Sequence, residues 1–284
     1  MIARNALWNL AGLGLPLFFA VACIPLLIDA LGTPRFGLLT LLWAVINYFG
    51  LFDMGIGRAL TQRLSAAIGA GRPAGPAPAA PGGLMLLAGR GVLAGVVLWS
   101  AAPAGVSRLA LDGGLDEALG AARVVAWAMP FVMLTSGLRG VMEAHGAFAP
   151  INVVRLATGI ATVVAPLVAV RAGHDDLVDV AWVLAAVRVA GCLAYAVIVA
   201  RLLPGALVPR RPEPAVLAPL LRTGGWMTVA NLVGPLMGYL DRFVIGAVSS
   251  LSAVAWYVTP QEIVTRLLIA PVAIASVLFP RLSE

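Results

Sequence analysis

Apolar residues along this chain come in long unbroken runs, with neither the strict alternation of a half-buried strand nor the one-sided period of a surface helix. The runs are Ala6–Leu31, Phe36–Gly57, Leu84–Val106, Ala121–Met142, Ile151–Val170, Leu177–Leu203, Trp226–Val248 and Val254–Leu278. An α-helix rises 1.5 Å per residue, so about 20 apolar residues cross a hydrocarbon core about 30 Å thick. All eight runs meet that length. Transmembrane strands are about ten residues long and alternate apolar with polar positions, which these runs do not. The pattern predicts an all-α, multi-pass membrane protein with about eight transmembrane helices. Its first run exceeds the apolar region of a cleaved leader, about 7–15 residues, and reads as a true span.

Composition sharpens this picture. Of 284 residues, 61% are hydrophobic and 11% charged, with a mean hydropathy of +0.98, more apolar surface than a soluble domain covers. The 19 basic residues are all arginine, and Ala, Gly and Pro are abundant, a usage that suggests a GC-rich bacterial genome. A net charge of +6 does not point to nucleic acid, because the arginines are dispersed and no stacking aromatics interleave with them. Cys23 and Cys192 fall in different apolar runs, where cysteine acts as a small hydrophobe.

Arginine placement predicts orientation, since loops rich in Lys and Arg stay in the cytoplasm. Arg58, Arg63 and Arg72 follow the second span, Arg139 the fourth, and Arg201, Arg210, Arg211 and Arg222 the sixth. The intervening loops carry Asp112, Asp116 and Glu117, then His174, Asp175, Asp176 and Asp179. Both termini are therefore expected in the cytoplasm. Gly71–Gly83 reads as a Pro/Ala/Gly tether. A weak repeat, "NLAG" at Asn9 to Gly12 and "NLVG" at Asn231 to Gly234, suggests two related halves, as in many secondary transporters. The expected division is a six-helix bundle over residues 1–203, a cytoplasmic linker over 204–224, and the first hairpin of a second bundle over 225–284.

Against this apolar background, the stretch "GYLDRFVIG" sets Asp241 and Arg242 inside a membrane span. Ionised side chains at the bilayer centre cost roughly 2.5–3.5 kcal/mol on insertion scales and so face a cavity or one another. Counting from the turn at Ser249–Ser252, Asp241 lies as far back as Gln261 lies forward, and Glu262 is next to it. That distance is about 15 Å, the middle of the bilayer. Arg266 follows Glu262 at the i,i+4 spacing of a helical ion pair. The cluster reads either as a salt-bridge lattice that fixes helix packing, or as a polar cavity whose arginines hold an anion while a carboxylate exchanges protons. Arg188, near the middle of the sixth span, has no acid within a helical turn and needs a partner from elsewhere. Arg90 and Arg155 lie within about two turns of the cytoplasmic ends, where long side chains also reach the interface. The candidate anion ligands are Arg188, Arg242, Arg266, Arg90 and Arg155, with Asp241 and Glu262 as proton carriers.

One motif speaks for an enzyme: "DDLVD", Asp175 to Asp179, has a spacing that some prenyl-diphosphate enzymes use for Mg²⁺. It occurs once, and acids there also suit a helix N-terminus. No Ser/His/Asp set, metal-spaced Cys/His cluster or Gly-rich phosphate loop is present in the sequence. No catalytic residue, metal or cofactor is expected.

Two stretches carry a family likeness. "LGTPRFGLLTLLWAVINYFGLFDMGIGRALTQ", Leu31 to Gln62, resembles the opening of Wzx-type polysaccharide flippases, and "GGWMTVANLVGPLMGYLDRFVIGAVSSLSAVAWYVTPQEIVTRLLIAPVAIASVLFPRLSE", Gly224 to Glu284, resembles them more strongly. The resemblance implies the fold of the multidrug/oligosaccharidyl-lipid/polysaccharide exporter superfamily, with two helical bundles around a central cavity. It also implies an oligosaccharide cargo on undecaprenyl diphosphate, coupling to protons or another ion, and other polysaccharide-assembly proteins as neighbours. Such flippases have about twelve to fourteen helices, so the end at "FPRLSE" marks a truncated gene or fragment in this reading. A MATE-like cation-coupled drug exporter is the nearest alternative and would prefer an acidic, aromatic cavity. A polyprenyl-linked sugar polymerase or transferase would need a large outer loop.

Overall fold

The computed structural model describes residues 18–51, 56–70, 79–109, 114–208 and 239–267. Among them run α1 (Phe18–Leu31), α2 (Thr33–Leu51), α3 (Ile56–Gly69), α4 (Ala79–Val106), α5 (Leu115–Ala144), α6 (Phe148–Arg171), α7 (Leu177–Leu202), α8 (239–248) and α9 (Leu251–Leu267). Among the described residues each of the eight apolar runs overlaps one of these helices, with residues 6–17, 226–238 and 268–278 of the runs outside the described residues, and α3 is additional. The helix α3 is amphipathic: Ile56, Ala59, Leu60 and Leu64 are buried, while Gln62, Ser65 and Ala66 are exposed. It occupies the stretch read as a loop with Arg58 and Arg63. The expected tether also shortens, since residues 79–83 already form the first turn of α4. The "NLAG" and "NLVG" segments and most of the 204–224 linker lie outside the described residues.

Helices α4 to α7 are each long and apolar enough to cross a bilayer. Their apolar character does not stop at the core. Val92, Leu93, Val96 and Val97 on α4 are all more than half exposed, which only a lipid surround makes favourable. This is a membrane protein.

Small residues set how closely the helices approach. Gly91 and Gly95 form a G-x-x-x-G face on α4, where an added Cβ would strike Pro130 and the Ala126 carbonyl of α5. Gly140 on α5 does the same toward α3, where an added Cβ would sit 2.6 Å from the Gly57 oxygen. The Thr61 hydroxyl donates to the Gly140 carbonyl at 3.1 Å across that contact. The start of α2 meets the start of α9 where Gly37 packs directly on the Leu251 carbonyl.

Turns fall at two ends. At one, Arg35 in the first turn of α2 pairs with Glu117 of α5, its Nε 3.1 Å from Oε1 and its Nη2 3.2 Å from Oε2, and the same Oε1 accepts from the Leu177 N–H of α7 at 2.7 Å. Asp176, from the acidic motif, accepts from Val178 N–H at 2.8 Å and caps the same helix, a structural role that fits an acid at a helix N-terminus. The opposite end holds α3, the start of α4, and the α5–α6 turn, where Tyr195 of α7 donates to the Ile151 carbonyl at 3.2 Å. The helices thus run up and down, and the start of α2, the start of α5 and the start of α7 share the Glu117 end.

Candidate functional site

Six helices contribute walls to one cavity of about 250 Å³. Ala20, Val21 and Ile24 come from α1; Phe36, Thr40, Trp43 and Asn47 from α2; Gly159, Thr162 and Val163 from α6. Arg188 comes from α7, Arg242 from α8, and Val258, Thr259 and Glu262 from α9. The apolar part of this lining follows from the sequence pattern, because helices apolar all round bury whichever face meets a neighbour.

Its polar part is short of acceptors. The threonine hydroxyls donate back to their own helices: Thr40 to Gly37 at 2.7 Å, Thr162 to Thr158 at 2.7 Å and Thr259 to Ala255 at 2.9 Å. Three other donors are buried without any hydrogen-bond partner: Trp43 Nε1, Arg188 Nε and Arg242 Nε. All three belong to residues that line the same cavity. A buried donor left unpaired costs on the order of 1–3 kcal/mol, more when charged. The three together make a site whose chemistry suits an acceptor-rich ligand.

Arg242 is 6% exposed and anchored on several sides. Its Nη2 lies 3.1 Å from Glu262 Oε1 and 3.5 Å from Gln261 Oε1, and its guanidinium carbon stands 5.1 Å from the centre of the Tyr239 ring. Arg188 makes no ion pair among the described residues. Asp241 does not line the cavity. Its carboxylate accepts from Tyr257 OH at 2.6 Å, from Gln261 Nε2 at 3.2 Å and from the Arg242 backbone N–H at 2.8 Å. Asp241 and Glu262 are consequently the two ends of one hydrogen-bonded chain that passes through Gln261 and Arg242.

The structure therefore brings Arg188, Arg242 and Glu262 together around the cavity and sets Asp241 behind it. Arg90 and Arg155 are not part of this lining. Arg90 lies on α4 with Nη1 buried and unpartnered, and Arg155 lies on α6. The side chain of Arg266 is outside the described residues, although α9 includes its backbone. Trp43 and Asn47 were missed by sequence reasoning, and Gln261 was placed at the depth of Asp241 without being given a role. Asn47, a polar residue inside an apolar run and one turn from Trp43, was the available signal.

Residues 2–284 match a family model described as "Polysaccharide biosynthesis protein". Over its whole length the chain is 26% identical to a Shigella flexneri protein named "Putative O-antigen transporter", of which it covers 67%. Among solved structures it is similar to the inward-facing conformation of a multidrug resistance MATE family transporter of the MOP superfamily, with a TM-score of 0.71 and 16% identity. That likeness covers 89% of this chain and 58% of the other, and at this identity it establishes the fold.

Proposed function

This chain belongs to the polysaccharide biosynthesis protein family, and we propose that it serves as a flippase, moving an oligosaccharide linked to a polyprenyl diphosphate such as undecaprenyl diphosphate across a bacterial inner membrane. The observation that carries the reading is the set of three buried, unpartnered donors around one cavity. A diphosphate entering a low-dielectric site must exchange its water shell for fixed donors. Guanidinium groups bind phosphate oxygens bidentately and do not lose their charge, and an indole N–H adds a neutral donor to phosphate or sugar oxygen. The lipid tail remains in the bilayer, so only the polar head needs the cavity.

A lipophilic drug cation fits less well. Arg242 already engages Glu262, the acid that lines the cavity, while Arg188 stands uncompensated beside them. The Shigella flexneri relative, named for O-antigen transport, supports the anionic cargo. In this reading the end that carries Arg63 of α3, Arg139 near the end of α5 and Arg201 at the end of α7 faces the cytoplasm, and residues 1–203 and 225–284 belong to two bundles that rock around the cavity. Coupling is assigned in this reading to the Asp241–Gln261–Arg242–Glu262 chain, with Asp241 and Glu262 as the proton carriers, because a diphosphate that takes over Arg242 weakens its hold on Glu262.

The test uses the purified chain in nanodiscs, titrated with a polyprenyl-diphosphate-linked disaccharide and separately with tetraphenylphosphonium. Saturable binding of the diphosphate with little binding of the cation is expected. Binding of the cation alone would replace this reading with the drug exporter. In proteoliposomes, proton flux driven by the diphosphate lipid should vanish in the Asp241→Asn/Glu262→Gln double variant.

A further inference from the structure

A second cavity of about 510 Å³ lies on the lipid-facing side of the α4/α5 pair, away from the central site. Val92, Val96, Trp99, Trp127, Pro130 and Phe131 line it, and its surface is almost wholly apolar. Gly95, in the lining, brings α4 so close to α5 that an added Cβ would strike the Ala126 carbonyl. The aromatic wall of the cavity is braced: Trp127 stands 5.3 Å from Phe131 and 5.4 Å from Trp182 of α7, ring centre to ring centre. The one hydroxyl in the lining, Ser100, donates to its own helix at Val96 and Val97, so it offers a ligand no free proton. The groove is preformed and shaped for a hydrocarbon chain.

Arg123 stands at the groove end nearer the Gly114 turn, one helical turn before Ala126. Its guanidinium carbon lies 5.2 Å from the centre of the Trp99 ring, and its Nε is buried with no hydrogen-bond partner. Among the described residues it has no acidic partner, and the neighbouring acid Glu117 is engaged by Arg35 and the Leu177 N–H. Arg123 sits eight residues into α5, about 12 Å below the helix start, a depth from which arginine reaches the headgroup region. An arginine stacked on a tryptophan, above an apolar slot, matches a phosphodiester headgroup with one acyl chain below it.

We propose that the α4/α5 groove binds an anionic phospholipid, with one acyl chain in the slot and the phosphate held by Arg123. The charge makes the site selective. A zwitterionic lipid offers the same chain but a compensated headgroup, whereas a net negative headgroup gains from a cation near the interface. This site is separate from the cargo cavity and does not depend on the transport reading.

The full chain in phosphatidylcholine nanodiscs, free of polyprenyl lipid, is titrated with phosphatidylglycerol or with further phosphatidylcholine, each brominated on its acyl chains. Bromine quenches tryptophan fluorescence at close range, and the part lost in a Trp99→Phe variant reports the groove. Brominated phosphatidylglycerol should quench that part with an apparent affinity about fivefold above phosphatidylcholine. The preference should fall to about one in Arg123→Gln and persist in Arg123→Lys. Equal quenching by both lipids, a preference that survives Arg123→Gln, or quenching untouched by Trp99→Phe would overturn the proposal. So would a preference that emerges only once polyprenyl diphosphate is added, which would assign the slot to the cargo's own tail.

Discussion

Arg188 and Arg242 share a cavity but differ in what already holds them, and the difference separates binding from stability. Arg242 donates to Glu262 and Gln261, so Arg242→Gln removes one charged partner of an acid whose side chain is 32% exposed. Breaking such a pair leaves a charge partly buried and should cost on the order of 1–3 kcal/mol, less than for a fully enclosed acid. Arg188 carries a buried Nε with no acceptor and no ion pair among the described residues, so Arg188→Gln removes an uncompensated cost. We expect thermal unfolding in detergent to show a lowered midpoint for Arg242→Gln and an unchanged or raised one for Arg188→Gln. Both variants should bind the diphosphate lipid about ten- to a hundredfold more weakly, the worth of one charged hydrogen bond. A strongly destabilised Arg188→Gln protein would show that Arg188 is a packing residue.

Elements explain why the site exists at all, because its walls come from helices that meet only where glycine permits. Gly37 on α2 packs on the Leu251 carbonyl of α9, with no room for a side chain. Gly37→Val should push the two helices apart and open the cavity between Trp43 and Glu262, with an overpacking cost of about 1–3 kcal/mol. Gly89→Val, where nothing lies within 4 Å, is the matched control. The first variant should lose thermal stability and diphosphate binding together, and the second should keep both. The same elements show what the sequence could and could not say. Run length alone placed eight helices, since a span has one dominant requirement. It missed α3, which is shorter than a span and one-sided, and which took the place of a loop. Counting from the 249–252 turn put Asp241 and Glu262 at one depth, and they are indeed joined through Gln261 and Arg242. Depth does not give azimuth, however. Successive residues on a helix point about 100° apart, so Arg242 faces the cavity while Asp241 turns toward Tyr257. Trp43 was hidden because a helix apolar on every side carries no periodic sign of its inner face.

At the scale of the whole molecule, two independent patterns divide the chain into the same two ends. One is charge: Arg63 on α3, Arg139 near the end of α5 and Arg201 at the end of α7 fall at one end, while Asp116 at the start of α5 and Asp175 and Asp176 just before α7 fall at the other. The other is contact: Arg35, Glu117 and Leu177 meet at one end, and Thr61 meets Gly140 at the other. The contacts state which turns share an end but not which end is cytoplasmic, and the proposed orientation takes that sign from the arginine bias. Cysteine labelling in intact bacteria tests the combination, because the native Cys23 and Cys192 are buried and give little background. His174→Cys and Ala70→Cys both fall at exposed turn positions and at opposite ends. A membrane-impermeant maleimide should label the first in intact cells and the second only after the membrane is opened. Labelling of Ala70→Cys alone in intact cells would invert the molecule, and with it the side from which cargo enters. Equal labelling of both in sealed cells would be more damaging, since the two ends would then not lie across a bilayer from each other.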